Sequence, residues 1–376
     1  MSTHRVEVVS IEAIIPHPNA DRLELVQVKG WQCVTGKGNF KIGDRAVYLP
    51  VDSVLSAELE TELFPPDSKI KLHKSRIRSI KIRGTISQGM VIPAAEILPA
   101  DLAVEVGDDV ADFLGVTKYE PPEAEFQAGP SNPKKGGKSQ TNPNFSKYTD
   151  IENVKNFPRA FAEGEMVYMS EKMHGTSARY GYVPRFYGDT ASGALRRLWD
   201  RFVGIFRGGD ALYDYVFGSR NVQLQDGRKG PFYKENVYAK IGEQFRFEDI
   251  LEAGECVYGE IVGSGIQKNY AYGCAESEHK FFAYDVMVDG RWLNHREFAQ
   301  FCDSRNIPRV PELYVGPYSK AVELQHRDGD STVGGQKIRE GVVIKPVVED
   351  NILGGGRLVL KSISDAYYLE DNSDFH

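Results

Sequence analysis

Short apolar runs recur along the first third of the chain, and turn residues separate them. Their spacing is typical of β-strands, which place successive side chains on opposite faces. They cover residues 6–9, 23–28, 31–34, 46–49 and 90–92. Gly, Asn and Asp cluster between several of these runs, as they do in turns. Many short strands in about a hundred residues predict a small all-β barrel.

After residue 148 the pattern becomes mixed. Leu195 and Leu198 share one face of a predicted helix. Asn294 is a candidate N-cap for another, in which we expect Phe298 and Phe301 to face a core. Strand-like runs cover residues 165–170, 177–183, 256–261, 280–286, 341–346 and 358–360. The fold class predicted for the whole chain is therefore α+β.

Residues 121–144 separate these two regions. They are rich in Pro, Gly, Ser and Asn, and few of their side chains could enter a core. Such a composition is typical of a flexible linker. The sequence therefore predicts a barrel module at 1–120, a linker at 121–147 and a mixed domain at 148–376.

The composition narrows the class of protein. The 376 residues are 41% apolar and 26% charged, which is usual for a soluble globular protein. A formal net charge of −7 gives no overall attraction to nucleic acid, so any such contact requires a local basic patch. The four cysteines lack the spacing of metal ligands, and no window resembles a signal peptide or a membrane span. We therefore expect a cytoplasmic location.

Residues 69–83 form such a basic patch. Lys and Arg alternate with Ile and Leu through much of it, which predicts an extended strand with its charges on one face. A solvated edge strand protected by those charges is the alternative. In an acidic protein we favour contact with RNA phosphates, which requires such cations. The candidate RNA-binding residues are Lys71, Lys74, Arg76, Arg78, Lys81 and Arg83.

A second short signature supports the barrel. Residues 17–23, His-Pro-Asn-Ala-Asp-Arg-Leu, resemble the opening of oligonucleotide-binding (OB) modules found in tRNA-binding proteins. A structural turn explains the same residues equally well. We therefore expect the barrel to be of the five-stranded OB type, which binds oligonucleotides.

Lys172 is the first candidate for chemistry. It lies in Ser-Glu-Lys-Met-His-Gly-Thr, between an apolar run and another strand-like stretch. Gly175 is expected to let a nucleotide approach the backbone. A lysine amine can act as a covalent nucleophile when its surroundings lower its pKa. A solvated lysine in a turn is the more common explanation of an isolated Lys-x-x-Gly pattern.

Several later stretches turn this single pattern into a candidate site. A strand carries Glu260 directly after a glycine, and an aromatic strand at 281–286 offers a stacking surface. Glu340 precedes another strand, and Lys345 and Lys361 bracket an anion. Phosphoryl transfer requires this inventory of nucleophile, cations and carboxylates that hold hydrated Mg²⁺.

The order of these stretches resembles motifs I, Ia, III, IIIa, IV and V of the covalent nucleotidyltransferases, which include ATP-dependent ligases and mRNA capping enzymes. His174, where many DNA ligases carry Asp, is similar to the RNA ligase variant. An N-terminal OB module before a catalytic domain is similar to the fifth, nick-sealing family of ATP-dependent RNA ligases. The resemblance implies an ATP-grasp-like nucleotidyltransferase domain, with antiparallel sheets flanked by helices, after the barrel.

The resemblance also implies a role for each residue of an ATP site. Lys172 would attack the α-phosphate and hold AMP, and Glu171 with its backbone would read the adenine edge. Arg220 would contact the ribose or the RNA terminus. The remaining implied ATP-binding residues are His174 and Gly175, with Phe282 or Tyr284 stacking on adenine and Val343 closing the other side.

Metal and phosphate contacts follow from the same resemblance. Glu260 would bind the ribose or a metal-bound water, and Glu340 would help to hold Mg²⁺, or Mn²⁺, through water. Lys345 and Lys361 would neutralise the α-phosphate. The chain departs from the family at Val359, where motif V often has a second lysine, and Arg357 is a candidate replacement.

The implied activity joins RNA 3′-OH and 5′-phosphate ends, at nicks in duplexes, through a lysyl-AMP intermediate and an AMP-capped 5′ end. A monomer acting in RNA repair is the corresponding expectation. An mRNA guanylyltransferase or a DNA ligase is less consistent with the domain order, because only residues 362–376 follow motif V. A noncatalytic RNA-binding protein is the alternative from another class.

Overall fold

The computed structural model describes residues 4–68, 71–119, 142–187, 195–200, 212–224, 236–352 and 356–369. The chain divides into two compact units. The first contains Met1–Glu123, Glu152–Ala160 and Ser362–His376, and the second contains Ala124–Ile151 and Phe161–Lys361. The boundaries predicted from the sequence stay a prediction, and most of the predicted linker lies outside the described residues.

The first unit is built mainly from short strands. They are β1 (Glu7–Ser10), β2 (Ala13–Pro16), β3 (Leu23–Val28), β4 (Trp31–Gly36), β5 (Arg45–Leu49), β6 (Ser53–Val54), β7 (Ser79–Ile82), β8 (Thr85–Gln88), β9 (Met90–Pro93), β10 (Thr117–Lys118) and β11 (Glu152–Asn153). Its helices up to residue 160 are α1 (Ala57–Leu63), α2 (Ala94–Ile97) and two 3₁₀ turns, His73–Ser75 and Val154–Asn156. The predicted strands are confirmed to within two residues at each end.

Antiparallel pairing assembles these strands into small sheets. β5 lies between β1 and β9, β3 lies between β2 and β4, and β7 pairs with β8. Along β1 and β5, successive side chains alternate between two buried clusters: Val8 and Val47 enter one, and Val9 and Ala46 enter the other. This sheet is therefore buried on both faces, which explains why apolar residues are adjacent in the sequence of β1 and β5, as in Val8-Val9 and Ala46-Val47.

The prediction of one extended strand across residues 69–83 is wrong. Lys74 and Ser75 have left-handed backbones, with φ of 56° and 55°, and form a 3₁₀ turn before β7 begins. Such a turn breaks the period-two alternation on which the prediction depended. Ile80, expected on an apolar face, is 47% exposed.

The segment with the OB-like signature, residues 17–23, contacts the β7–β8 hairpin. The His17 ring nitrogen lies 3.1 Å from the Ile82 carbonyl, and the Asn19 amide donates to the Arg83 carbonyl at 3.0 Å. The Asn19 backbone also donates to the His17 ring. In this unit the signature therefore has a structural function at the β7–β8 turn.

The second unit carries longer strands. They are β12 (Met166–Glu171), β13 (Thr176–Pro184), β14 (Tyr213–Ser219), β15 (Gln223–Leu224), β16 (Glu255–Gly263), β17 (His279–Val288), β18 (Arg291–Trp292), β19 (Glu312–Pro317), β20 (Gly341–Pro346) and β21 (Leu360–Ile363), whose last two residues belong to the first unit. The helices that follow α2 along the chain are α3 (195–200), α4 (Val237–Phe245), α5 (Phe247–Ile250), α6 (His295–Ser304), α7 (Lys320–Arg327) and α8 (Asp365–Leu369), of which α8 belongs to the first unit.

Two antiparallel arrangements organise this unit. Six strands follow the order β15-β14-β13-β16-β17-β18, and β12 lies between β19 and β20. Phe298 and Phe301 of α6 are buried in the core on the six-stranded sheet, as predicted. The predicted helix at α3 is present, but Leu195 and Leu198 are each 73% exposed. Among the described residues, no helix is long and apolar enough to cross a membrane.

Candidate active site

Lys172 lies in the short connection from β12 to β13. Its backbone N–H donates to the Gly341 carbonyl at 2.9 Å, which fixes it beside the first residue of β20. Its Nζ lies 2.7 Å from Oε1 of Glu340, which is 5% exposed, whereas the lysine side chain is 23% exposed. The amine is therefore held by a buried carboxylate, while the lysine side chain stays partly exposed to solvent.

Gly175 brings the second carboxylate to this connection. A Cβ at Gly175 would lie 2.2 Å from the Ile261 carbonyl oxygen, so only glycine permits this approach of β16. The Gly175 N–H donates to Glu260 Oε1 at 3.1 Å. The glycine was expected to admit a nucleotide, but close packing of the two strands already requires it.

The two glutamates lie in different surroundings. Loss of hydration, the largest effect, raises the pKa of Glu260 to about 8; Lys172 opposes this effect and Glu340 adds to it. Glu340 Oε2 is buried without a hydrogen-bond partner in the described residues, and the His174 ring nitrogen lies 3.7 Å away. An unpaired buried carboxylate oxygen is costly and indicates a missing partner.

A divalent cation fits this pair of carboxylates. Mg²⁺ commonly keeps several waters and binds through one or two carboxylates. Within the described ranges, no group of three or more His, Cys, Asp or Glu side chains could hold a metal ion. Glu260 and Glu340, the latter with an unpartnered oxygen, offer the carboxylate oxygens to which such a hydrated ion binds.

Aromatic side chains lie on the strand next to Glu260. Phe282 is the register partner of Glu260, and Phe282 and Tyr284 lie on the same face of β17, both half-buried. The Tyr284 hydroxyl lies 2.7 Å from the Ser177 hydroxyl, and its ring packs 4.7 Å from that of Tyr148. This face of β17 therefore presents rigid ring surfaces.

The chain can now be compared with known proteins. A family model described as RNA ligase matches residues 165–363, more than half of the chain. The chain belongs to the RNA ligase family. A model of an OB-fold domain matches residues 5–94. The predicted family, the enzyme class and the N-terminal OB module of this RNA ligase are therefore confirmed.

Solved structures show the same fold. Naegleria gruberi RNA ligase with PPi is 25% identical, with a TM-score of 0.68, and the match covers 97% of this chain and 98% of that chain. Variants of that enzyme with ATP and Mn or with AMP and Mn are each 24% identical, with TM-scores of 0.68 and 0.67 and the same two coverages. The predicted α+β fold class is confirmed. No curated protein matches this RNA ligase in sequence.

Sequence reasoning missed the groups that hold the Lys172–Gly175 turn of the ligase. The Tyr272 hydroxyl accepts from the His174 N–H at 2.8 Å, and the Gln267 amide donates to the Gly175 carbonyl at 3.0 Å. The His174 ring lies edge-on to Tyr270, with centroids 4.7 Å apart. Since these partners lie about a hundred residues further along the chain, no local pattern predicts them.

Glu171 is engaged by another part of the ligase. Its carboxylate is 1% exposed and accepts hydrogen bonds from the Ser331 hydroxyl and from the N–H and hydroxyl of Thr332, the latter two at 2.9 Å. Its backbone N–H donates to the Pro311 carbonyl. The carboxylate that was expected to read adenine therefore anchors the chain ahead of β20.

Two further predicted cations, Arg220 and Lys361, do not contact Lys172 in the described contacts. Arg220 follows β14, pairs with Asp150 and is 47% exposed. Its charge also lowers the pKa of Glu260 slightly against the larger effect of burial. Lys361 lies half-buried in β21, and Val343 is partly exposed in β20, opposite Ser170.

Lys345 belongs to a second cluster. Its Nζ, 2% exposed, donates to Asp285 Oδ2 at 2.7 Å and to the Tyr284 carbonyl at 2.8 Å. Arg357 also pairs with Asp285 at 2.9 Å and is bound by both carboxylate oxygens of Glu349. The structure thus brings Lys172, Glu260 and Glu340 together, but engages Lys345 and Arg357 with other carboxylates.

The predicted RNA-binding residues divide in the same way. Arg76 donates through Nε to Asp52 at 2.8 Å, and its guanidinium lies 3.9 Å from the centre of the Tyr119 ring. Arg78 is half-buried. The side chains that remain exposed are those of Lys71, Lys74, Lys81 and Arg83.

Proposed function

We propose that this RNA ligase joins a 3′-OH end of RNA to a 5′-phosphate end at nicks in duplexes, through AMP carried on Lys172. The observation that carries the proposal is the Lys172–Glu340 contact at 2.7 Å, with Glu260 held beside it by Gly175. A reactive amine beside two carboxylates is the arrangement that nucleotidyl transfer requires.

The first step is attack by the Lys172 amine on the α-phosphorus of ATP. A P–N bond forms, the bond to pyrophosphate breaks, and Glu340 is in hydrogen-bond contact to accept the proton that the amine releases. Phe282 or Tyr284 stacks on the adenine, Val343 covers its other face, and Lys361 neutralises the phosphate.

Two further transfers complete the reaction. A 5′-phosphate oxygen attacks the AMP phosphorus, so that the P–N bond breaks and a 5′–5′ pyrophosphate forms. The 3′-OH then attacks the 5′-phosphate and releases AMP. The RNA is contacted by Arg220 and by the exposed cations of the OB unit, Lys71, Lys74, Lys81 and Arg83. The ligase acts on it as a monomer.

A divalent metal supports these steps. Structures of Naegleria gruberi RNA ligase variants hold Mn with ATP or AMP, and we infer that the present chain also uses a divalent metal, Mg²⁺ or Mn²⁺. Glu260 and Glu340 would hold the ion through water, and it would supply positive charge to the phosphates.

Labelled ATP tests the covalent step. After incubation with Mg²⁺ and ATP labelled at the α-phosphate, the wild-type protein should retain label through denaturation, and Lys172→Ala should retain none. Lys320→Ala is the matched control, since Lys320 also lies 2.7 Å from a glutamate, Glu323. Label that persists in Lys172→Ala would refute the assignment of the nucleophile.

Substrate choice is tested on matched nicks. Sealing should be efficient where the 3′-OH strand is RNA, and weak on all-DNA nicks and on unpaired strands. Equal sealing of all-DNA nicks would refute the proposed RNA preference, and equal joining of unpaired strands would refute the requirement for a duplex.

A further inference from the structure

The buried cluster around Asp285 connects two sheets of the catalytic unit. Asp285 belongs to β17 of the six-stranded sheet, and Lys345 belongs to β20, which pairs with β12. The Lys345 ammonium bridges them, since it donates both to the Asp285 carboxylate and to the carbonyl of the preceding residue, Tyr284. One side chain thus fixes the spacing between the two strands.

The charges of this cluster are balanced without a ligand. Lys345 and Arg357 face Asp285 and Glu349, so two positive groups meet two negative groups. Asp285 accepts a further hydrogen bond from the Tyr148 hydroxyl at 2.8 Å. Two of the three ammonium protons of Lys345 are already donated. A phosphate at Lys345 would have to displace a buried carboxylate, which is unfavourable in a low-dielectric interior.

The residues next to this bridge are those expected to enclose adenine. Tyr284 directly precedes Asp285, and Val343 lies two positions before Lys345 on the same face of β20. Tyr148, held by Asp285, packs its ring against Tyr284. The bridge therefore ties the strand with the stacking ring to the strand with the covering valine.

We propose that Lys345 is a positioning residue that sets the width of the adenine slot through Asp285, and that it does not contact the α-phosphate. The proposal rests on the proposed function, because that function places adenine between Tyr284 and Val343. It assigns Lys345 a different role from the one that the family resemblance implies.

Adenosine, which has no phosphate, separates the two roles. In Lys345→Met, the affinities for adenosine and ATP should fall by the same factor, roughly tenfold. At saturating ATP the labelling of Lys172 should return close to the wild-type rate. A loss of ATP affinity with unchanged adenosine affinity would overturn the proposal.

Asp285→Asn provides a second test, in which the two roles of Lys345 predict opposite changes in ATP affinity. If Lys345 positions the slot, loss of the Asp285 charge should weaken adenosine and ATP together. If Lys345 serves the phosphate, release of its buried partner should tighten ATP binding, and that result would overturn the proposal. Thermal unfolding of each variant confirms that affinities are measured on folded protein, and either variant alone decides between the two roles.

Lys361→Met is the matched control, because Lys361 stays the predicted phosphate contact. It should weaken ATP binding and leave adenosine binding unchanged. Label retention by the wild-type protein tests the proposed function separately. A wild-type protein without label whose adenosine affinity still depends on Lys345 would refute the ligase mechanism and retain the positioning role.

Discussion

Two lysine–carboxylate pairs of equal length lie in the catalytic unit and differ in almost everything else. Lys172 and Glu340 are 2.7 Å apart, the lysine side chain is partly exposed, and Glu340 Oε2 has no hydrogen-bond partner in the described residues. Lys345 and Asp285 are also 2.7 Å apart, but both are at most 2% exposed and further donors surround the aspartate. Equal distance therefore does not imply equal function.

The difference follows from the cost of burying charge. A buried ion pair persists only when additional hydrogen bonds satisfy its remaining groups, as Arg357 and Tyr148 do for Asp285. Burial alone would raise the pKa of Asp285, but Lys345 and Arg357 lower it, so the carboxylate stays ionised. The Lys172–Glu340 pair lacks these additional hydrogen bonds, since Glu340 Oε2 has no partner in the described residues. A site that must accept phosphate and metal requires such unsatisfied polar groups.

Removal of the Lys345–Asp285 ion pair, the closed pair, should have the largest effect on stability. Asp285→Ala leaves two buried cations without their shared partner and should lower the free energy of unfolding by about 3–5 kcal/mol. Denaturant unfolding measures this change. A variant as stable as the wild type would show that the second cluster is not structural.

Glu340→Gln tests the Lys172–Glu340 pair, the open pair. We expect adenylylation of Lys172 to slow by about 10²–10³-fold, the usual effect of removing one preorganised electrostatic group. The free energy of unfolding should change far less than in Asp285→Ala. Single-turnover labelling and denaturant unfolding on the same preparation provide the comparison, and a large loss of stability with intact labelling would reverse it.

Gly175→Ala tests how Glu260 reaches the open pair. The added Cβ would meet a backbone carbonyl at 2.2 Å, so β13 and β16 must separate, at a cost of about 1–3 kcal/mol. Gly36→Ala is the control, because its Cβ would meet only the flexible Asn39 side chain at 3.1 Å. Equal thermal unfolding of the two variants would contradict the close approach.

The pKa of Glu260 predicts a pH dependence. It is about 8 in the folded protein against 4.5 for the ordinary group, so the folded state holds this proton more tightly than the unfolded state between those values. The metal-free protein should therefore lose stability as pH rises through that window. Glu260→Gln should lack this loss, so its melting temperature should gain a few degrees on the wild type from pH 5 to pH 8. A difference in melting temperature between the two proteins that stays constant from pH 5 to pH 8 would contradict the raised pKa of Glu260.

The smallest effect is expected on RNA binding, where an exposed and a less exposed cation can be compared. Lys81 is exposed, whereas Arg76 is held by Asp52 and Tyr119. Lys81→Ala should weaken RNA binding a few-fold and reduce the slope of log K against log salt by about 1. Arg76→Met should lower the melting temperature instead. Reversed results would show that Arg76 is the phosphate contact.

Local patterns were sufficient for the strands that carry the motifs. Period-two alternation and apolar runs located β12, β16 and β20, because strand formation there depends on neighbouring residues. The partner of Lys345 lies 60 positions earlier in the chain, and the donors to Glu171 lie about 160 positions later. Sequence spacing carries no signal for such contacts.

The 3₁₀ turn that interrupts the basic stretch at residues 69–83 could not be predicted from its alternating sequence either. Left-handed backbones at Lys74 and Ser75 are rare for residues other than glycine and contradict the local alternation. Tertiary contacts, such as those of His17 and Asn19 with the next hairpin, act over more than sixty residues. The charges could therefore be identified from the sequence, but their arrangement could not.

Mapping the AMP adduct by peptide mass spectrometry tests the distinction between the two pairs most directly. After incubation of the wild-type protein with ATP and Mg²⁺, we expect one AMP, on the peptide that contains Lys172, and none on the peptide that contains Lys345. An adduct on Lys345, or no adduct on either lysine, would contradict the account.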